Sequence, residues 1–181
     1  MQNLSIARRY ARALIDVAAE TGSLDPVANQ LDTLSTLMRD SADLRDVLLN
    51  PAYSREQRGA VLGGILKSIP KLEPSVNSLV QLLLDRQRFA AMPDIARAFR
   101  GMADGRAGRV RGKVTSATPL STEALRGVEQ ALEKLVQRDV VLEAAVDPAL
   151  LGGVSAQVGS ILFDGSLRTQ LEDLRRSLKA R

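Results

Sequence analysis

A chain of 181 residues without a single histidine or cysteine lacks the commonest general base, the usual zinc ligands and all thiol chemistry. Disulfides and cysteine nucleophiles are therefore excluded. Its apolar share of 45% and net charge of +4 are ordinary for a globular protein, and no apolar run approaches the roughly 20 residues that span a bilayer.

The first segment is helical, with Ala7, Tyr10, Ala11, Leu14 and Ala18 on one face and an end near Gly22. Arg8, Arg9 and Arg12 interrupt any apolar core that a signal peptide would need, and Asp16 and Glu20 argue against a transit peptide. A cytoplasmic protein of bacterial type is the expectation. Ser23 is placed to cap a second helix carrying Leu24, Val27, Leu31, Leu34 and Leu37. A short third helix follows Ser41, with Leu44, Val47 and Leu48, and stops before Pro51.

Ser54 and Gln57 form a capping-box pair at the start of a fourth helix, whose face is Val61, Leu62, Ile65, Leu66 and Ile69. Pro70 and Pro74 bracket the next junction. The fifth helix carries Val76, Leu79, Val80, Leu82, Leu83 and Leu84, an apolar surface too wide for one stripe, so it belongs at the centre of a bundle. Pro93 suits the first position of a sixth helix through Ile95, Ala96, Phe99 and Met102. Six such helices on short loops predict a helical bundle over residues 1–104.

Between Ala103 and Gly112 the pattern changes. Val110, Gly112 and Val114 alternate with Arg109, Arg111 and Lys113, as in a strand. Thr118-Pro119 ends it, and Ser121 caps a helix with Leu125, Val128, Leu132 and Leu135. A second strand, Val140 to Val146, leads through Asp147-Pro148 and a Gly-Gly pair into a third, Val154 to Phe163. An Asp-Gly-Ser corner follows, with Ser166 capping a last helix of Leu167, Leu171, Leu174 and Leu178. The expected fold is mainly α: a six-helix bundle, then a small α+β domain over residues 105–181 ordered strand-helix-strand-strand-helix, with the boundary near residues 104–108.

Few of these residues point to chemistry. Gly152 and Gly153, with Gly159 beyond, could cradle a phosphate only if a helix N-terminus followed. Here a strand follows and no Gly-Lys-Ser/Thr is present, which favours a structural turn. Asp164 before Gly165 is a turn former rather than a catalytic acid. No catalytic, cofactor-binding or metal-binding residue is expected.

Residues 1–105 carry 13 basic and 12 acidic side chains, whereas residues 106–181 carry 12 and 9. Much of that excess lies in Arg106, Arg109, Arg111 and Lys113, a run open to three readings: a solvated strand face, a contact for an acidic protein partner, or a nucleic-acid contact. The last would make the chain a small basic nucleic-acid-binding regulator. Yet the aromatics are only Tyr10, Tyr53, Phe89, Phe99 and Phe163, and none accompanies the basic strand to stack bases. The small residues Ala7, Ala11, Ala13 and Ala18 around Tyr10 and Leu14 suit either plain bundle packing or close approach of a partner helix.

Four blocks, ARRYARAL (Ala7–Leu14), LLLDRQRF (Leu82–Phe89), VTSATPLS (Val114–Ser121) and LLGGV…VG…FDGSLRTQL, carry a resemblance across essentially the whole chain. In this order and spacing they resemble the delta subunit of bacterial F-type ATP synthases, the counterpart of the mitochondrial oligomycin-sensitivity-conferring protein. The C-terminal block is the most specific. Ala156 departs from it, standing where a larger branched residue is expected.

The resemblance implies a non-catalytic stator subunit, peripheral to the cytoplasmic face of the bacterial inner membrane and present once per complex. The bundle would bind the N-terminal helix of an alpha subunit in a groove between the first and fifth helices. Tyr10, Ala13 and Leu14 would line that groove from one side and Leu79, Leu82 and Leu83 from the other. The C-terminal domain would engage the b subunits of the peripheral stalk.

Overall fold

The computed structural model describes residues 2–150, 152–159, 161–167 and 169. The chain forms two compact units, Met1–Ala103 and Asp104–Arg181. Helices dominate the first, and a small mixed sheet organises the second.

The first unit contains α1 (Gln2–Glu20), α2 (Leu24–Asp40), α3 (Ala42–Leu49), α4 (Arg55–Ser68) and α5 (Pro74–Asp85). A single turn, Phe89–Ala91, then precedes α6, which starts at Met92 and runs to Arg106. Their apolar faces meet in one core that includes Ile15, Leu31, Leu48, Leu62, Val80, Leu83 and Phe99. The central helix is α5: it packs against α1, α2, α4 and the Phe89–Ala91 turn, and Val76, Val80 and Leu83 are fully buried. Its breadth of apolar surface is what allows several neighbours at once.

Local chemistry sets the helix ends. Ser41 Oγ accepts the Leu44 N–H, and Ser54 and Gln57 complete the capping box by exchanging side-chain-to-backbone bonds. Buried Gln30 of α2 clamps the loop before α5: its amide donates to the Lys71 carbonyl at 3.0 Å, and its oxygen accepts the Glu73 N–H at 3.0 Å. Lys71 sits in the left-handed region at φ +50°, a conformation costly for lysine that this clamp helps hold.

Several expectations are corrected. Ser23 precedes α2 without capping it: at φ −105° and ψ 26° its backbone is outside the extended conformation of a capping residue, and its hydroxyl bonds the Thr21 hydroxyl at 2.7 Å. Met38, not Leu37, completes the buried stripe Val27–Leu31–Leu34 at spacings of four, three and four, and Leu37 is exposed. Val61 is also exposed, one residue before buried Leu62 and so rotated about 100° off the core face. Pro93 is the second residue of α6, after Met92, still inside the first turn where its missing N–H costs nothing.

The second unit runs β1 (Arg109–Ser116), α7 (Thr122–Val136), β2 (Asp139–Val146), β3 (Gly153–Val158) and β4 (Ile161–Ser166). Strand order is β2-β1-β3-β4. The α7 crossover makes β1 and β2 parallel, whereas β3 and β4 join antiparallel. Val114, Val140, Leu142, Ala156 and Val158 share one sheet face, where Leu125, Val128 and Leu132 of α7 join them. Val136 completes that helix face and Leu135 is exposed, against expectation. Ala156 pairs with Phe163 on one side and Val114 on the other; a small residue there leaves room for the ring.

The single strand expected from Val154 to Phe163 is a hairpin instead, turning at Gly159, whose φ is +59°. Asp164 and Gly165 accordingly lie within β4 rather than at a strand-to-helix corner. Ser166 Oγ nevertheless accepts the Thr169 N–H at 3.3 Å, as an N-cap does. The expected helix positions Leu171, Leu174 and Leu178 lie outside the described residues.

Two glycines are required by contact. A Cβ on Gly112 would lie 2.7 Å from the Gln157 carbonyl oxygen and 2.8 Å from Leu142 Cδ2. At Gly153, φ is +77° and a Cβ would overlap the Gly165 carbonyl oxygen. Asp164 holds the same region from the other strand. Its Oδ1 accepts the Ser166 N–H at 2.9 Å and its Oδ2 accepts the Thr169 hydroxyl at 2.7 Å. The Ser166 N–H first, then the Thr169 and Ser166 hydroxyls, hold this carboxyl below the ordinary carboxylate range.

Gly153→Ala should destabilise the second unit by about 3 kcal/mol, from left-handed strain plus backbone overlap. Gly127→Ala, in the interior of α7 with open space around it, should stabilise by about 0.5–1 kcal/mol. Urea unfolding of the full chain measures both, and equal effects would refute the contrast. Because the Asp164 pKa is lowered in the folded state, its stabilisation is present above the unfolded pKa and lost as pH falls through the folded one. The urea midpoints of wild type and Asp164→Asn should therefore differ at neutral pH and converge in acid. A constant offset would remove the carboxylate from the account.

Candidate partner-binding surfaces

The helices α1 and α5 pack side by side, so the residues expected to bind a partner do come from neighbouring elements. They divide into two sets by burial. Leu14 and Leu79 are each 6% exposed and Leu83 is fully buried; these three belong to the bundle core. Tyr10 is half-buried, Ala13 is exposed and Leu82 is 40% exposed, so these can meet another molecule directly.

Val17, 47% exposed, was not anticipated. Ile6, Tyr10, Ala13 and Val17 recur at spacings of four, three and four, a second apolar stripe on α1 beside the core stripe Ala7–Ala11–Leu14–Ala18. The same periodicity that revealed the core could have revealed this flank. One long contact, 3.5 Å from an Arg88 guanidinium nitrogen to the Tyr10 hydroxyl, places a cation at its edge. An apolar stripe with a polar tip and a neighbouring cation is suited to an amphipathic helix and has no evident role in bond-making chemistry.

In the second unit the basic run includes one arginine tied to carboxylates. Arg111 Nε donates to buried Asp104 at 2.5 Å, and a second guanidinium nitrogen lies 3.9 Å from Glu143. Arg106 and Arg109 have interactions of their own. Lys113 is exposed on the strand. A guanidinium engaged with protein carboxylates, as that of Arg111 is, is poorly placed to neutralise a phosphate. Apolar side chains are exposed here as well: Leu135 on α7, Val146 on β2, and Ile161 and Leu162 on β4.

The glycine pair does not build a phosphate cradle, because Gly153 opens β3 and is filled by the Gly165 carbonyl rather than facing a helix N-terminus. Among the described residues no three carboxylates converge as metal ligands, and no helix is long and apolar enough to cross a membrane.

The family model for the ATP synthase delta (OSCP) subunit matches residues 6–178, spanning both units. ATP synthase subunit delta of Myxococcus xanthus is 58% identical over 182 residues, covering 100% of each chain. That of Anaeromyxobacter dehalogenans is 50% identical over 175 residues and 97% of each chain. A chain of the Toxoplasma gondii mitochondrial ATP synthase hexamer shares the fold, with a TM-score of 0.62 at 24% identity over 97% of this chain and 98% of that one. Two separately cored units, matched end to end at this level of identity, identify the chain as a member of the ATP synthase delta (OSCP) subunit family, a non-catalytic component of F-type ATP synthase.

Proposed function

We propose that this subunit is a mechanical link in the stator, holding the catalytic head to the peripheral stalk so that proton flow is coupled to ATP synthesis. The observation that carries the reading is a family match running through two units that each have their own hydrophobic core. A connector needs two ends, and each end must keep its shape under load.

In this reading the first unit binds the N-terminal helix of an alpha subunit along α1 and α5. Tyr10, Ala13, Val17 and Leu82 supply contact area, and Leu14, Leu79 and Leu83 hold the two helices in place beneath it. The second unit engages the C-terminal end of the b subunits, and the protein lies peripheral to the membrane through the complex, one copy per assembly. Rotation of the central stalk exerts a reaction torque on the head, and an unanchored head would turn with the rotor. The joint must therefore dissociate slowly. A nanomolar joint corresponds to about 12 kcal/mol, within reach of an amphipathic helix docked on an apolar surface.

Calorimetric titration of the full chain with a peptide from the alpha-subunit N-terminus tests this directly. One-to-one binding with a negative heat-capacity change is expected. Tyr10→Asp and Leu82→Asp should each weaken it by about 2 kcal/mol, roughly thirtyfold, by forcing a charge into an apolar contact. Leu37→Asp, equally exposed but on α2, should bind as wild type does. Normal binding by folded Tyr10→Asp and Leu82→Asp proteins would move the head-binding surface away from α1 and α5.

A further inference from the structure

The sheet of the second unit ends on one side in β2. This strand is eight residues long, reads DVVLEAAV and contains no proline or lysine. An edge strand of that length and apolarity presents unpaired N–H and C=O groups to any other strand, including β2 of a second copy of the chain. Proline, inward charge or a covering element usually prevents such pairing.

Here the protection comes from two glutamates of α7. Glu129 Oε1 accepts the Leu142 N–H at 3.1 Å, and Glu133 Oε1 accepts the Val140 N–H at 3.3 Å. These amides belong to alternate residues of β2, so they point to the same side of the strand, away from its partner β1. The spacing explains why two glutamates can serve both. Residues four apart on a helix are separated by about 6 Å along its axis, and residues two apart on a strand by about 6.7 Å. The chain reverses direction after α7, so the later glutamate meets the earlier amide. Both carboxylates are half-buried, and an ionised acceptor makes a stronger bond than a neutral one.

We infer that Glu129 and Glu133 form an edge lock, which keeps β2 from adding a strand of a second copy and so keeps this unit from self-assembling through its sheet. The lock lies on a surface distinct from α1 and α5, and it does not depend on the proposed stator role. It directs partners of the second unit away from strand addition at β2. For a component that must be incorporated in a defined complex, edge-to-edge pairing would be a competing sink.

The test uses the full chain and two double variants. Glu129→Ala with Glu133→Ala removes both acceptors, whereas Glu129→Gln with Glu133→Gln retains a carbonyl oxygen at each position. In wild type the Val140 and Leu142 amides should resist hydrogen exchange. In the alanine pair their exchange should rise roughly tenfold, the effect of losing a charge-assisted bond. Sedimentation should then show association that grows with concentration and is absent from wild type. The glutamine pair should stay close to wild type in both measurements. A folded alanine pair with unchanged exchange overturns the lock, and so does one with faster exchange that stays monomeric at every concentration. Wild-type protection decides the matter if the alanine pair does not fold, since amides already exchanging freely at Val140 and Leu142 would overturn it as well.

Discussion

The constraint on which the first unit depends is the burial of α5. A helix with Val76, Leu79, Val80, Leu83 and Leu84 all buried must be enclosed by neighbours on more than one side, and α1, α2 and α4 supply them. Burying these side chains contributes about 1.5–3 kcal/mol each, before the ordering entropy that opposes it. With α5 as the post of the bundle, its outward side carries Asn77, Ser78, Gln81, Leu82 and Asp85, and Leu82 stands out there as the large apolar side chain among polar ones. The clamp from Gln30 fixes where the post begins, and Arg86, whose N–H bonds back to the Leu82 carbonyl, closes its end.

The second unit rests on close backbone approach instead. Gly112 admits Leu142, Val158 and the Gln157 carbonyl around a position where no side chain fits, and Gly153 lets β4 come against the start of β3. These contacts bring four strands into one sheet beneath α7. Among the described residues the buried set is Val114, Leu132, Val140, Leu142, Ala156 and Val158, and the two glycines let the strands that carry it close up. The edge must also be managed locally, because no second layer in the described residues covers it.

Most of the helices were legible because the 3.6-residue period of buried residues is long-ranged and redundant: α2 remains clear even when Leu37 is misassigned for Met38. What failed depended on single residues. Leu37, Val61 and Leu135 are apolar, and nothing local distinguishes a leucine that faces the core from one a hundred degrees away. The hairpin was a different kind of miss. Val154, Ala156 and Val158 are even-numbered while Ile161 and Phe163 are odd, and that change of parity after Val158 is the signature of a hairpin. At the proposed partner surface the sequence did not separate buried from exposed residues. Leu14, Leu79 and Leu83 have the same chemistry as Leu82, and only packing separates the three buried leucines from the exposed one.

Under the proposed role the two units act in series, and series linkage has a physical consequence. Load passes through both joints, so the connection fails when either releases, and the overall release rate is the sum of the two rates rather than their product. Extra affinity at one end cannot compensate for weakness at the other. Separate cores add a second advantage, since a local opening of the thin second unit does not expose the bundle's core. Each surface can then be tuned on its own scaffold: an apolar stripe on rigid helices at one end, and at the other a sheet whose β2 edge is held by its own glutamates. Tyr10 packs against the bundle core and Glu129 bonds a strand of its own unit, with no shared hydrogen-bond partner, so the effects of substituting them on stability are expected to add.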